Sequence, residues 1–370
     1  MENSVRSIYI HVPFCTDKCD YCAFYSVPGA HNDTIWFYLG ALEEELRKRT
    51  SALGQPNTIF IGGGNPLSLP DKEFDILLSM VVKYLTPGAK TEFTVEANPE
   101  SISKIKTAIL ASHPVTRISM GVQSFDKNIR GILGRKGALT RLDKKFSGLV
   151  SAGIKELNID LIYGIPGQTL AQWEEDLSKA AAMPITHLSA YNLTIEKLSP
   201  ISKRIREHDI NDIQSTKMWK MAEAILARKN GIKRYEISNY AKKGHECRHN
   251  LDFWHGCDYI GFGPAAVSSI GTNRSINPSD IKKWARGKNI RTEKLTPEQK
   301  AREILILGLR TVTGADMDDI AKTTGINIMS VCRKTLGKLS QNGLLRIKNE
   351  RAIPTKRGLL LADTVAVELI

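Results

Sequence analysis

Six short apolar segments, at residues 7–12, 57–61, 91–96, 117–120, 156–161 and 187–192, alternate with longer amphipathic stretches. The stretches at 35–49, 73–84, 102–111 and 170–181 carry apolar residues at helical spacing. In the first of them Leu39, Leu42 and Leu46 form one stripe, while Glu43, Glu44, Arg47 and Lys48 lie off it. Such alternation predicts an α/β fold with parallel strands. Six β-α units predict a partial or complete TIM-like barrel, in which functional side chains collect at the C-terminal strand ends. Polar residues do collect there. Cysteines follow the first segment, and Gly62-Gly63-Gly64-Asn65-Pro66 follows the second. Glu96 closes the third, Gln123 lies beyond the fourth, Asp160 ends the fifth, and Asn192 and Thr194 follow the sixth.

Cys15, Cys19 and Cys22 have three and then two residues between them, and Tyr21 precedes the last. A tetrahedral zinc site wants four ligands, commonly in two pairs, and no fourth cysteine stands nearby. Three thiolates instead suit a four-iron, four-sulfur cluster with one iron left open. The clustering is unlike a disulfide framework, and a reducing compartment would keep the thiolates free. No apolar run approaches the roughly 20 residues needed to cross a bilayer, and the N-terminus lacks a signal-peptide core. A cytoplasmic location is therefore expected. The net charge of +13 fits a nucleic acid, an anionic small molecule or a solvated surface equally, and decides nothing. Three consecutive glycines after a strand lack the spacing of a phosphate-binding loop, but they let backbone approach a ligand closely.

The cysteine triad resembles the signature of the radical S-adenosylmethionine (SAM) superfamily. That resemblance implies an open iron chelated by the amino and carboxylate groups of SAM, with Tyr21 near the adenine and Gly63 and Gly64 at the amino group. Asn65 stands where relatives usually carry Thr. The strings around Glu96 (Val95-Glu96-Ala97-Asn98-Pro99), Gln123, Arg135 and Asp160 resemble the branch that holds oxygen-independent coproporphyrinogen III oxidase. There, Glu96 and Asp160 would suit the cofactor's amine and ribose hydroxyls, Arg135 its carboxylate, and Gln123 would donate and accept. Tyr9 and Thr194 align with further cofactor contacts.

Two features separate members of that branch. The oxidase carries a fourth cysteine one residue after the third. Here that place is Phe24, as in heme chaperones of the HemW type. The string His249-Asn250-Leu251-Asp252-Phe253-Trp254 is similar to the chaperones' heme-binding string, with Phe253 replacing the usual Tyr. The resemblance implies heme contacts at His249 and Trp254. His249 would offer a neutral imidazole, and Cys247, His245 and His255 are further candidates. Arg248, Lys242 and Lys243 would meet propionates or simply face solvent.

Beyond residue 292 the texture changes. Thr296 reads as a helix cap with Pro297 at the first helical position. Helices are expected at 301–309, 316–323 and 330–342, and a hairpin at 343–353. Together these describe a small, mainly helical, winged-helix-like domain at 292–370, after a radical SAM core at 1–291 that ends with the heme-binding string. The expected function is a chaperone that binds heme and transfers it to an acceptor protein. It would carry a 4Fe-4S cluster and SAM, draw electrons from a flavodoxin or ferredoxin, and need no catalytic residue of its own. The rival is oxidative decarboxylation of coproporphyrinogen III. Nucleic-acid modification is disfavoured, because the aromatic-basic interleaving of RNA-binding modules is missing.

Overall fold

The computed structural model describes residues 5–51, 53–197 and 199–370. Seven parallel strands form its core, in the spatial order Tyr259–Phe262, Ser7–Val12, Thr58–Gly63, Glu92–Ala97, Arg117–Gln123, Glu156–Tyr163 and His187–Asn192. Antiparallel strands extend both edges. Val267–Ile270, Asn273–Ile276 and Arg291–Lys294 lie beyond Tyr259–Phe262, while Asn239–Ala241 and Lys233–Arg234 lie beyond His187–Asn192. The strand order is linear, so the barrel is partial, as expected. Six of its strands fall on the six apolar segments. The seventh, Tyr259–Phe262, was not expected: it is four residues long and joins the sheet on the far side of the first strand.

Helices Asn32–Arg49, Asp71–Leu85, Lys104–Ser112 and Leu170–Ala181 occupy the predicted amphipathic stretches. Their stripes meet one face of the strands, where Ile8, Ile59, Val95, Ile118, Ile159 and Leu188 are buried. Each such side chain contributes about 2 kcal/mol through removal from water. Successive strand residues point to opposite faces, and the alternate positions facing the barrel interior are polar. Thr94 and Glu96, Ser119, Asn158 and Asp160, and Ser189 all belong to this inner set. Ordinary barrels fill that space with bulky branched residues. Here the polar set leaves a cavity.

The C-terminal domain has its own core, which includes Ala301, Leu305, Ile320, Leu336 and Leu345. Helix Pro297–Gly308 opens with a reciprocal cap, in which Thr296 accepts from Gln299 and Gln299 returns the bond. Strand Ala315–Asp316, helices Met317–Thr324, Ile328–Val331 and Arg333–Gln341, and the hairpin of Leu345–Lys348 with Arg351–Pro354 complete the winged-helix-like pattern. Two short helices, Lys356–Leu360 and Ala362–Leu369, were not expected. Arg291–Lys294, at the border expected at 292, pairs in the large sheet. Among the described residues no helix is long and apolar enough to cross a membrane.

Candidate functional site

A cavity of about 530 Å³ runs through the barrel interior. Its upper end lies at the C-terminal ends of the parallel strands, where Phe14–Cys15 pairs with Val27–Pro28 and braces the cysteine loop. Cys15, Cys19 and Cys22 all line it. Burial pushes the Cys15 thiol up to about 11, with the neighbouring Cys22 and Cys19 adding to the rise, and burial also raises Cys22. Thiols held this way lose their protons only to a strong local positive charge, such as bound metal. The Arg135 guanidinium donates to Cys19 Sγ at 3.4 Å. Among the described residues no three His, Cys, Asp or Glu side chains gather closely enough for a single ion.

Below the cysteines stand two carboxyl groups whose exposed surface opens into the cavity. Glu96 is pushed up to about 8, chiefly by burial and then by the charge of Asp160. It accepts from the Gly63 amide at 3.0 Å. Asp160 is raised by burial and fixed by Asn158 Nδ2 at 2.7 Å and Ser119 Oγ at 3.0 Å. Such a pair, with one guanidinium nearby, favours a ligand that brings positive charge and hydroxyls. Gly62 leaves room for Glu96, since a Cβ there would sit 2.6 Å from its Oε2 and displace the carboxyl group. Gly63 adopts φ 106° beside the His11 ring, a conformation open to glycine. The Gly63 and Gly64 amides are already engaged, by Glu96 and by Val12 O at 2.8 Å, so the glycine run aims the carboxylate rather than offering free donors. Gln123 is held at φ 70° across a bulge in the fourth strand, an uncommon backbone state that points to a functional constraint. Arg135 Nη2 donates to Asn98 Oδ1 at 3.0 Å, while its buried Nε finds no partner among the described residues.

The structure thus brings Cys15, Cys19, Cys22, Tyr21, Gly63, Gly64, Glu96, Gln123, Arg135, Asp160 and Thr194 to one cavity. Two expected members stand outside its lining. Asn65 is buried and its Oδ1 accepts from Asn98 N and Ser101 Oγ, both at 3.4 Å, so it braces the neighbouring loop. Tyr9 bonds His11 Nδ1 at 3.1 Å. Sequence reasoning missed Thr94, Ser119, Asn158, Ser189 and Arg117 on the cavity wall. Their signal was polar residues at period two inside otherwise apolar strands.

His249 and Trp254 lie at the other end. The segment 245–258 crosses the N-terminal ends of the strands and floors the barrel. Glu92 accepts from the Arg248 and His249 amides at 3.0 Å, Arg117 Nη2 donates to His245 O at 3.0 Å, and Ser7 donates to Asp252 at 2.6 Å. A six-residue strand at about 3.3 Å per residue puts this floor about 20 Å from the cysteine mouth. His249 Nδ1 bonds Thr58 Oγ1 at 2.9 Å, its ring lies against Phe60, and burial pushes it down to about 4, so the imidazole is neutral. Trp254 packs under the Arg310 guanidinium at 4.5 Å. His249 and Trp254 are five positions apart on helix Arg248–Trp254, about 140° apart around its axis, so they do not share a face. Phe253, 39% exposed, offers its ring to solvent.

The Radical SAM superfamily matches residues 9–180, and the HemN C-terminal domain matches residues 295–361. The chain is 33% identical to the heme chaperone HemW of Bacillus subtilis (strain 168), over 98% of each chain. It is 36% identical to the heme chaperone HemW of Escherichia coli (strain K12), over 71% of this chain and 70% of that one. Among solved structures it is similar to the coproporphyrinogen III oxidase HemN of Escherichia coli, described as a radical SAM enzyme. The TM-score is 0.86 at 23% identity, over 99% of this chain and 90% of that one, a likeness of fold. By its end-to-end similarity to these relatives and its two matched domains, the chain belongs to the HemW family of the radical SAM superfamily.

Proposed function

We propose that the protein is a radical SAM heme chaperone that binds heme at its barrel floor and passes it to an acceptor protein. The observation that carries this reading is the similarity over 98% of both chains to a relative named for that role. Cys15, Cys19 and Cys22 would hold a 4Fe-4S cluster. Glu96, Asp160, Arg135 and Gln123 would hold SAM beside it, with an electron donor such as a flavodoxin or ferredoxin serving the pair. When bound, the cluster supplies an open iron for SAM and an electron that can cleave it. The chain's own residues position: Glu96 and Asp160 take the cationic and hydroxyl parts, and Arg135 takes the carboxylate.

For heme, His249 is the proposed ligand. Its neutral ring is tied through Nδ1 to Thr58, which orients Nε2 as an outer-shell partner orients a metal-bound imidazole. Phe253 would offer an apolar face to the porphyrin. Trp254, under Arg310, would support the floor from behind. Heme at the floor and SAM at the mouth would occupy opposite barrel ends.

The test is a heme titration of the anaerobically reconstituted protein. A Soret shift that His249→Ala removes is expected. A shift unchanged in that variant overturns the ligand, and formation of protoporphyrinogen from coproporphyrinogen III with SAM consumption overturns the chaperone reading.

A further inference from the structure

We propose that Asp176, which does not line the cavity, is a positioning residue for Gln123 and so sets how tightly SAM is held. The inference rests on the reading of Gln123 as a SAM contact, and goes beyond it by naming what aims that side chain.

Gln123 needs a hold from outside. It lines the cavity with its backbone at φ 70° beside a bulge, a left-handed state that residues with a side chain seldom adopt unless their surroundings fix them there. Its side chain lies back over Gly121, where a Cβ would come within 2.8 Å of Nε2. The same Cβ would stand 3.3 Å from Asn98 Oδ1 and 3.7 Å from Arg135 Nη2, so Gln123 belongs to a tight cluster in which a small backbone shift displaces the amide group.

The hold comes from helix Leu170–Ala181. Asp176 on that helix is 1% exposed, and its two oxygens accept from the two residues after Gln123: Oδ2 from Ser124 Oγ at 2.7 Å and Oδ1 from Phe125 N at 2.6 Å. Ser124 is fully buried, and its Oγ also accepts from Asp126 N at 3.0 Å. One turn earlier on the helix, Gln172 Nε2 donates to Asp126 Oδ2 at 3.0 Å. Residues four apart share a helix face, so Gln172 and Asp176 grip the loop together. Asp126 then caps helix Lys127–Ile132 through Asn128 N at 2.7 Å and Ile129 N at 3.0 Å. Three successive residues are therefore pinned directly behind the left-handed one.

A site that needed only filled space would not bury a carboxyl group. Asp176 has no ion-pair partner among the described residues. Burial pushes it up to about 6 against the pull of its two bonds, with Asp126 adding to the rise and Lys179 opposing it. Mostly ionised at neutral pH, it makes both bonds charge-assisted, about twice as strong as neutral ones. Asparagine would keep the shape and the bond from Phe125 N, but would set an NH2 group where the Ser124 hydroxyl donates.

The test is calorimetric titration of SAM into the full-length, cluster-loaded protein under anaerobic conditions. Asp176→Asn should weaken SAM about tenfold at unchanged iron content, and equal affinities overturn the proposal. The readout that a merely structural residue would not move is coupling to Gln123. Gln123→Ala should weaken SAM by itself, and adding Asp176→Asn should then weaken it less than about twofold further. A tenfold loss on both backgrounds means that Asp176 acts on the fold at large, and overturns the positioning role. If Asp176→Asn loses iron, Ser124→Ala decides instead, because it removes one of the two bonds and a single oxygen. There SAM should bind about threefold more weakly, and unchanged affinity overturns the proposal. No SAM binding by the wild-type protein at full iron content overturns the cofactor reading and this one with it, whereas the other failures leave the cofactor reading standing.

Discussion

The two ends of this barrel treat buried charge in opposite ways. At the mouth, Glu96 and Asp160 sit over a cavity with mostly neutral partners, and burial raises both. At the floor, Glu92 is as deeply buried but accepts two backbone amides and faces Arg117. The first arrangement is unfavourable until something cationic arrives, whereas the second is complete within the chain. A carboxylate at a strand end is therefore a binding group or a structural one according to what already bonds it, and sequence position alone does not distinguish the two.

The comparison can be broken most sharply at the mouth itself. Replacing any one of Cys15, Cys19 or Cys22 by Ala should abolish the cluster's visible absorption and iron content while leaving the fold intact by circular dichroism. Full iron retention would remove the premise that the mouth is a cofactor site. At the floor, Glu92→Gln leaves Arg117 buried without its nearest carboxylate and should destabilise the protein by about 3 kcal/mol in urea denaturation. Hydrogen exchange should rise across 245–258. An unchanged midpoint would mean that the floor charges do not hold that segment.

Glu96→Gln should behave in the opposite sense. Glu96 is about 8 in the folded chain against about 4.5 unfolded, so the folded state binds the proton more tightly. Stability is then fullest below about pH 4.5 and declines as pH rises through 8, by about 1–2 kcal/mol after allowance for the side chain's exposure to the cavity. Glu96→Gln should flatten that decline. It should also cancel the release of roughly one proton that SAM binding produces near pH 7, read from calorimetry in buffers of different ionisation enthalpy. A decline of equal size in both proteins would assign the pH dependence elsewhere. The smallest effect belongs to Asn65→Thr. Because Asn65 lies off the cavity lining, SAM affinity should change less than about threefold, and a larger loss would move that residue into the site.

Much of the mouth was legible before the structure, because its residues stand in or directly after recognisable strands. Glu96 lies one residue before the end of its strand, Asp160 is a polar residue inside an apolar run, and Cys15 follows the first strand. The floor was not. Its bonds join residues more than a hundred positions apart, such as Glu92 with Arg248 and Arg117 with His245, and no periodicity records them. Tyr259–Phe262 escaped for a related reason: four residues with a glycine among them carry too little alternation to read as a strand. The chemistry of the heme-like string was legible as His, Phe and Trp, but not the direction in which each side chain points.

That direction matters most for Trp254. Its ring is covered by Arg310, the first residue after Leu309 closes helix Pro297–Gly308. Around it the chain is stitched by Ile237 N to Arg310 O at 3.1 Å and Val312 N to Tyr235 O at 3.0 Å. The C-terminal domain is thus a keystone for the barrel's underside rather than a passenger. A change that loosened Trp254 would be passed through Arg310 to a domain well away from the cysteines.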